Sequence, residues 1–196
     1  LAGPLPGGAD DGSGGAGSIL NGEAHLDGVT ITDSAAPYAG AITNGGPLVL
    51  ANSTISGNHA TIAGGGIYGA SVDLTHSTVV GNTAPQAANL GVATTLSTFG
   101  SVFARPQGGG GNCAVYGGTA SAGYNWSTDG SCGLLATGDT LNGADPGLGA
   151  LADNGGPTPT LAPTATPVPL PTNTPTPTVA PSPTPLPTAF PTNTPT

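Results

Sequence analysis

Apolar positions in the first half of the chain return at a fixed interval that matches neither a helix nor a single strand. Leu26, Leu50 and Leu74 stand 24 residues apart, as do Ile31, Ile55, Val79 and Phe103. The neighbouring positions keep the same beat. Val29, Ser53, Ser77 and Ser101 form one column, and Thr30, Thr54, Thr78 and Val102 the next. The echo is plain in NSTISGN at 52–58 and HSTVVGN at 76–82. A looser series precedes each phrase, GSILNG at 17–22, GAITNG at 40–45 and GGIYGA at 65–70, with a slip of one residue. Each period thus holds two or three short β-type runs separated by Gly, Asn or Ala-Gly corners.

A tandem array of hairpins would want Asn-Gly or Asp-Gly in two-residue turns between matched strands. Here the same residue type instead recurs at the same place in each period. Coils stacked as parallel strands produce this pattern, with residue i above residue i+24 at a strand spacing of about 4.8 Å. The pattern predicts an all-β parallel β-helix. Ile31, Ile55, Val79 and Phe103 are the expected inward core ladder, which a single coil cannot build alone. Thr30, Thr54 and Thr78 alternate with it and point outward. Asn58 and Asn82, each after a glycine, are the expected corner ladder, and Gly40, Gly65 and Gly66 mark another corner. About four coils make a stack only ~15–20 Å tall, so the expectation is the end of a longer β-helix.

The chain divides into four segments. Residues 1–16 have no hydrophobic periodicity and are expected to be flexible. Their GGADDGSGG lacks the apolar position of a calcium-binding nonapeptide and occurs once, so it is read as a linker. Residues 17–106 are the coils. After Arg105-Pro106 the periodicity is expected to stop, and 107–156 is read as a cap carrying Cys113, Cys132, Tyr116, Tyr124 and Trp126. From Pro157 the composition turns to Pro and Thr, with PTNTPT at 171–176 and again at 191–196. Residues 157–196 are expected to be a disordered, extended linker or stalk and a candidate for O-glycosylation.

Composition narrows the function classes. Of 196 residues, 35 are Gly and 21 Pro, only 6% are charged, and the net charge is −9 with Arg105 the single cation. Helix is disfavoured by the shortage of good helix formers. Nucleic acid is excluded as a partner, because neutralising phosphates takes several cations, and an anionic membrane surface for the same reason. No apolar run reaches the length of a membrane span, so no membrane insertion is expected. The first residues carry no signal-peptide pattern, and the chain is read as a fragment of a longer secreted product. The two cysteines lack neighbours at metal-ligand spacing, so no metal or cofactor is expected. In this loop-rich, cation-poor setting they read as one disulfide, Cys113–Cys132, which places the protein outside the cytoplasm. Closing a loop of about 20 residues is worth roughly 3 kcal/mol.

GGGIY and LTHSTVVGNTA, followed by GNC, SAGYNWSTDGSCGL, ADPGLG and LADNGGPTPTLAP, resemble the bacterial β-helix proteins with a choice-of-anchor Q domain. The Gly-Gly-x-Ile and Ile/Val-x-x-Asn phrases are also similar to the repeats of chlamydial polymorphic outer-membrane proteins, although those usually begin the second phrase with Phe. The resemblance covers about 18–162 and implies a right-handed, single-stranded parallel β-helix of the pectin-lyase type. It also implies a secreted or cell-surface protein with a structural or adhesive role and no particular catalytic activity. After Leu161 the chain departs from the pattern.

Enzymes of that architecture need carboxylates in facing pairs for hydrolysis, or calcium-binding carboxylates with a base for lyase chemistry. Glu23, Asp27, Asp33 and Asp73 share no column at the 24-residue interval, Arg105 is the one base candidate, and His25, His59 and His76 are scattered. The fragment is therefore read as non-catalytic. The alternative is a carbohydrate-active or glycan-binding β-helix whose site lies in upstream coils. The Thr ladder degrades within three coils, too short for ice binding. Tyr116, Tyr124 and Trp126 are candidate glycan-stacking residues, or else the core of the small cap. Asn52 and Asn125 stand in Asn-x-Ser/Thr sequons. Surface glycans or cell-envelope components are the expected partners, and the sequence assigns no oligomeric state.

Overall fold

The computed structural model describes residues 15–19 and 22–164. Most of the N-terminal segment expected to be flexible lies outside the described residues, as does the Pro/Thr tract from Ala165 onward. Among the described residues every regular element is a β-strand, and there is no helix long and apolar enough to cross a membrane.

The chain winds as a β-solenoid of about four turns. The first turn carries β1 (Gly17–Ile19), β2 (Ala24–Asp27), β3 (Thr30–Thr32) and β4 (Ala35–Tyr38). The second carries β5 (Ile42–Ala51), β6 (Thr54–Ser56) and β7 (His59–Ala63). Next come β8 (Ile67–Thr75) and β9 (Thr78–Val80), then β10 (Leu90–Phe99) and β11 (Val102–Ala104). A last pass follows in β12 (Cys113–Val115), β13 (Gly118–Gly123) and β14 (Trp126–Ser127). The long strands form one parallel sheet, β1-β5-β8-β10-β12 with β2 and β13 alongside, and the short ones a second, β14-β11-β9-β6-β3. A third face pairs β4 with β7 and continues through the bridges His59↔Thr83, Ala63↔Gln86 and Thr83↔Gln107.

Stacking extends one pass further than the periodic apolar columns predict. Cys113 pairs above Leu90, Gly118 above Thr95 and Trp126 above Val102. The columns fade because their occupants change: Phe103 is followed by Ser127 and Leu90 by Cys113, while Leu74 is followed by Thr98. The interval also varies. Ile42 pairs with Ile67 and Ile67 with Leu90, whereas Leu50 pairs with Leu74 at 24. The difference is taken up by bulges at Asn44/Pro47 and Val92/Thr95. Buried Asn44 closes the first bulge, donating from Nδ2 to Pro47 O (2.7 Å) and accepting from Gly46 N (3.1 Å). In the first turn the looser series shifts, so that Gly17, and not Ile19, lies opposite Ile42.

Three corners in each turn bend the chain, and each is a column of left-handed residues. Gly28, Asn52, His76, Gly100 and Tyr124 have φ of 59°, 50°, 48°, 58° and 59°. Asp33, Gly57, Gly81 and Arg105 form the second column at 57°, 68°, 68° and 52°, and Ala39, Gly64 and Ala87 the third at 52°, 68° and 50°. Just past the third corner, a Cβ on Gly40 would stand 2.2 Å from Gly65 O, and one on Gly65 would stand 2.3 Å from Ala88 O. Positions 40 and 65 leave no room for a side chain, while Ala88 holds the equivalent place one coil on.

Inside, Ile31, Ile55, Val79 and Phe103 stack in register and are buried. The columns Ile42–Ile67–Leu90–Cys113 and Leu48–Val72–Leu96 complete the core. Each such side chain contributes about 1.5–3 kcal/mol by leaving water.

A final hairpin, β15 (Leu148–Ala152) and β16 (Thr160–Pro163), pairs antiparallel. The expected start of the Pro/Thr linker at Pro157 therefore falls inside a folded element. Leu161 supplies the apolar contact a strand needs, and Pro163 sits at the strand's last position, where a missing N–H is tolerated.

Candidate functional site

The residue after each of the first two left-handed corners presents its N–H along the solenoid axis, where no backbone carbonyl meets it, whereas Gly40, Gly65 and Ala88 after the third donate to carbonyls of the next coil. A buried N–H must be satisfied, and at the first two corners the side-chain oxygen of the equivalent residue one coil on does this. In one column Val29 N donates to Ser53 Oγ (3.2 Å), Ser53 N to Ser77 Oγ (3.3 Å) and Ser77 N to Ser101 Oγ (3.2 Å). Ser101 N then donates to Asn125 Oδ1 (2.9 Å). In the next column Ser34 N donates to Asn58 Oδ1 (3.0 Å), and Asn58 N and Nδ2 donate to Asn82 Oδ1 (2.9 and 3.0 Å). The asparagines also reach across the coil, with Nδ2 donating to Ile31 O from Asn58 (3.1 Å) and to Ile55 O from Asn82 (3.0 Å).

The asparagine ladder then leaves the 24-residue interval. One period beyond Asn82 stands Pro106, which has no N–H to satisfy and no amide to offer. Asn89, from the other side of the coil, takes the place, accepting from Asn82 N (3.2 Å) and Nδ2 (2.9 Å) and donating to Asn112 Oδ1 (2.7 Å). Asn58, Asn82, Asn89 and Asn112 are all fully buried.

Both ladders end on carboxylates. Asp139 accepts from Asn125 N (2.9 Å), Ser121 Oγ (2.6 Å) and Ala136 N (2.8 Å). Asp129 accepts from Asn112 N (2.8 Å), Ser131 N (2.9 Å) and Ser131 Oγ. Burial pushes each carboxyl upward, but the hydrogen bonds outweigh it, Ser131 and Asn112 for Asp129, and Ser121, Asn125 and Ala136 for Asp139. Both therefore lie below the ordinary carboxylate value. Beside them the Cys113–Cys132 disulfide, Cα–Cα 4.8 Å, and buried Leu134 close the core.

The hairpin segment straps the outside of the short-strand sheet. Arg105 Nε and Nη2 donate to Asp145 (2.8 and 2.9 Å), and Nη2 also donates to Leu148 O (2.7 Å). At the far end Thr30 Oγ1 donates to Pro159 O (2.6 Å). Between these clasps lie the outward positions Thr78, Thr54, Val80 and Ala104, of which Thr54, Val80 and Ala104 are buried. The Thr column thus points outward as alternation requires, but at Thr54 it does not meet solvent. The hydrogen bond to Asp145 is the main reason the Arg105 guanidinium is held above its usual value, ahead of an opposing effect of burial. Arg105 thus clasps the hairpin segment to the end of β11.

The three candidate stacking aromatics have three different surroundings. Tyr116 is 66% and Tyr124 70% exposed, so neither is cap core. Trp126 is half-buried, donating from Nε1 to Ala144 O (3.1 Å), with Gly143 against its ring. Tyr124 instead belongs to a row on the first corner. Its ring meets Phe99 edge-on at 6.1 Å, and Phe99 meets His76 at 5.2 Å. A left-handed non-glycine residue costs about 1–2 kcal/mol, and this corner accepts three of them while taking glycine at 28 and 100.

Asp27 lies opposite Ala51 and Asp73 opposite Val49, so the strand register separates these acids. His25 pairs with Glu23 at the surface (2.7 Å), and His59 is exposed on β7. The two sequons differ: Asn52 is exposed, whereas Asn125 is buried in the ladder. One further step of 24 from Ser101 reaches Asn125, and from Gly100 reaches Tyr124, a signal in the sequence that marks both. Asn89, Asn112, Asp129 and Asp139 have no such signal.

Fold and interior together define the chain as a parallel β-solenoid with a closed C-terminal end. No known family, curated protein or solved structure matches it.

Proposed function

We propose that this chain is the closing module of a secreted or cell-surface β-helix protein of the choice-of-anchor Q kind, with a structural and adhesive role and no catalysis. The observation that carries this reading is the closed end. The core and both polar ladders finish together on one disulfide and two carboxylates. A buried disulfide favours an oxidising compartment. Polar side chains that would serve catalysis on another β-helix are here the backbone's own partners. Asp129, Asp139 and Arg105 are all committed to holding chain segments. Such a module supports a long, thin, durable rod.

Surface proteolysis of intact source cells tests the location. The expected result is release of peptides from residues 15–164 with Cys113 and Cys132 disulfide-linked. Recovery only from lysed cells, with both thiols free, would refute the surface reading. Turnover of a polyuronate by the purified protein would refute the non-catalytic one.

A further inference from the structure

We infer that the corner row His76–Phe99–Tyr124 is a stacking site for a neutral, extended β-linked glycan. The inference rests on the adhesive reading above and names the ligand class for it.

The first observation is the backbone at Tyr124. Its column takes glycine at 28 and 100, so the fold does not require a side chain there. A bulky ring nevertheless stands in a left-handed conformation at φ 59° and leaves 70% of its surface in solvent. Strain retained for an exposed group points to a partner outside the chain. The second observation is preorganisation. The His76 ring lies against Gly100, where a Cβ would approach to 2.7 Å, and the Tyr124 ring lies against Gly138, at 2.8 Å. Phe99 wedges between them, edge-on to both. Rings fixed in this way lose little freedom on binding.

Spacing and surroundings select the ligand. His76 and Tyr124 are two coils apart, about 10 Å at the parallel strand spacing. That matches the two-ring repeat of an extended β-1,4-linked chain, in which every second sugar presents the same face. Thr75 lies in register with Phe99, and Gly100 follows it; a row of single rings beside a hydroxyl and a glycine suits a ligand with apolar faces and hydroxyl edges better than an apolar protein surface. One coil below, the exposed Asn52 amide, held by Asp27 Oδ1 (2.9 Å), offers polar contact along the same line. A net charge of −9 disfavours polyuronates.

Cellohexaose, chitohexaose and a hexa-uronate titrated into the full 196-residue chain test the inference. Saturable binding of a neutral hexaose is expected, with no comparable binding of the uronate. Tyr124→Gly should weaken it at least tenfold while leaving the melting temperature unchanged or higher, and Tyr116→Ala should leave both unchanged. Absence of saturable neutral-hexaose binding, equal binding of the uronate, or retained affinity in Tyr124→Gly would each overturn the site. A lowered melting temperature in Tyr124→Gly would assign the ring to packing and overturn it too. None of these outcomes bears on surface location or on turnover, which decide the parent proposal separately.

Discussion

The middle of the solenoid and its closed end solve the same problem by opposite means. Between Ile31 and Phe103 each coil is satisfied by a near-copy of itself: an aliphatic side chain covers the next, and Ser53 or Asn58 answers the backbone of the coil before. At the last pass no copy follows, and nothing periodic answers Asn112 N or Asn125 N. The chain supplies Asp129, Asp139, Leu134 and a disulfide instead, each used once. Repetition stabilises a solenoid cheaply in sequence information, but it cannot end one. Ending it takes residues chosen singly.

Substitutions should separate the two regimes. The largest effect belongs to the repetitive core: Ile55→Ala is expected to cost about 2–5 kcal/mol in urea unfolding, because buried neighbours on both sides of it are stacked in register. A loss below about 1 kcal/mol would mean the column is not packed as described. At the closed end, replacing Cys113 and Cys132 together by Ala should cost roughly 3 kcal/mol by loop-closure entropy. Amide exchange should then rise first in 113–132, leaving the coils from β5 to β9 protected. Uniform loss of protection would show that the end and the middle are one cooperative unit.

Asn82→Ala should cost about 1–3 kcal/mol, since it leaves Asn58 N without an acceptor inside the protein and removes the Asn82 Nδ2 bonds to Ile55 O and Asn89 Oδ1. Ser77→Ala, which removes an acceptor for the single donor Ser53 N, should cost less.

Acid should act on the closed end and on the strap, where the hydrogen bond from Arg105 also holds the Asp145 carboxyl below its ordinary value. Asp129 and Asp139 have folded values below the ordinary carboxylate range, so the folded state binds fewer protons than the unfolded chain as pH falls. Their stabilisation is complete above the unfolded value of about 4 and is lost as pH drops through the lowered folded values. Asp129→Asn with Asp139→Asn should flatten the melting temperature below pH 4; an unchanged acid limb would assign it elsewhere. The smallest effect is expected at the strap: Arg105→Ala breaks an exposed ion pair and should cost about 1 kcal/mol or less, read most sensitively as faster exchange in β15 and β16.

The same contrast explains what the sequence made legible. Ile31, Ile55 and Val79 repeat because stacking imposes one environment at each step, so the interval alone carries fold, core and corner asparagines. Asn89 was hidden because it enters the ladder from another side of the coil where Pro106 breaks the interval. Asp129 and Asp139 were hidden because a cap is selected by what it terminates, and a terminus occurs once. Burial of Thr54 was hidden for a third reason: alternation fixes which way a side chain points, while the segment clasped to that sheet at Thr30 and Arg105 comes from far along the chain. Tyr124 was noticed as an aromatic, but its meaning lies in a backbone column shared with Gly28 and Gly100. Only the 24-residue interval, carried one step past the last apolar repeat, connects them.

Backbone NOEs in a 15N,13C-labelled sample test the register most directly. The account predicts parallel-strand contacts linking Thr30 to Thr54, Thr54 to Thr78, Thr78 to Val102 and Val102 to Trp126, each 24 residues apart. Cross-strand contacts between sequence-adjacent runs, in the antiparallel pattern of hairpins, would contradict it.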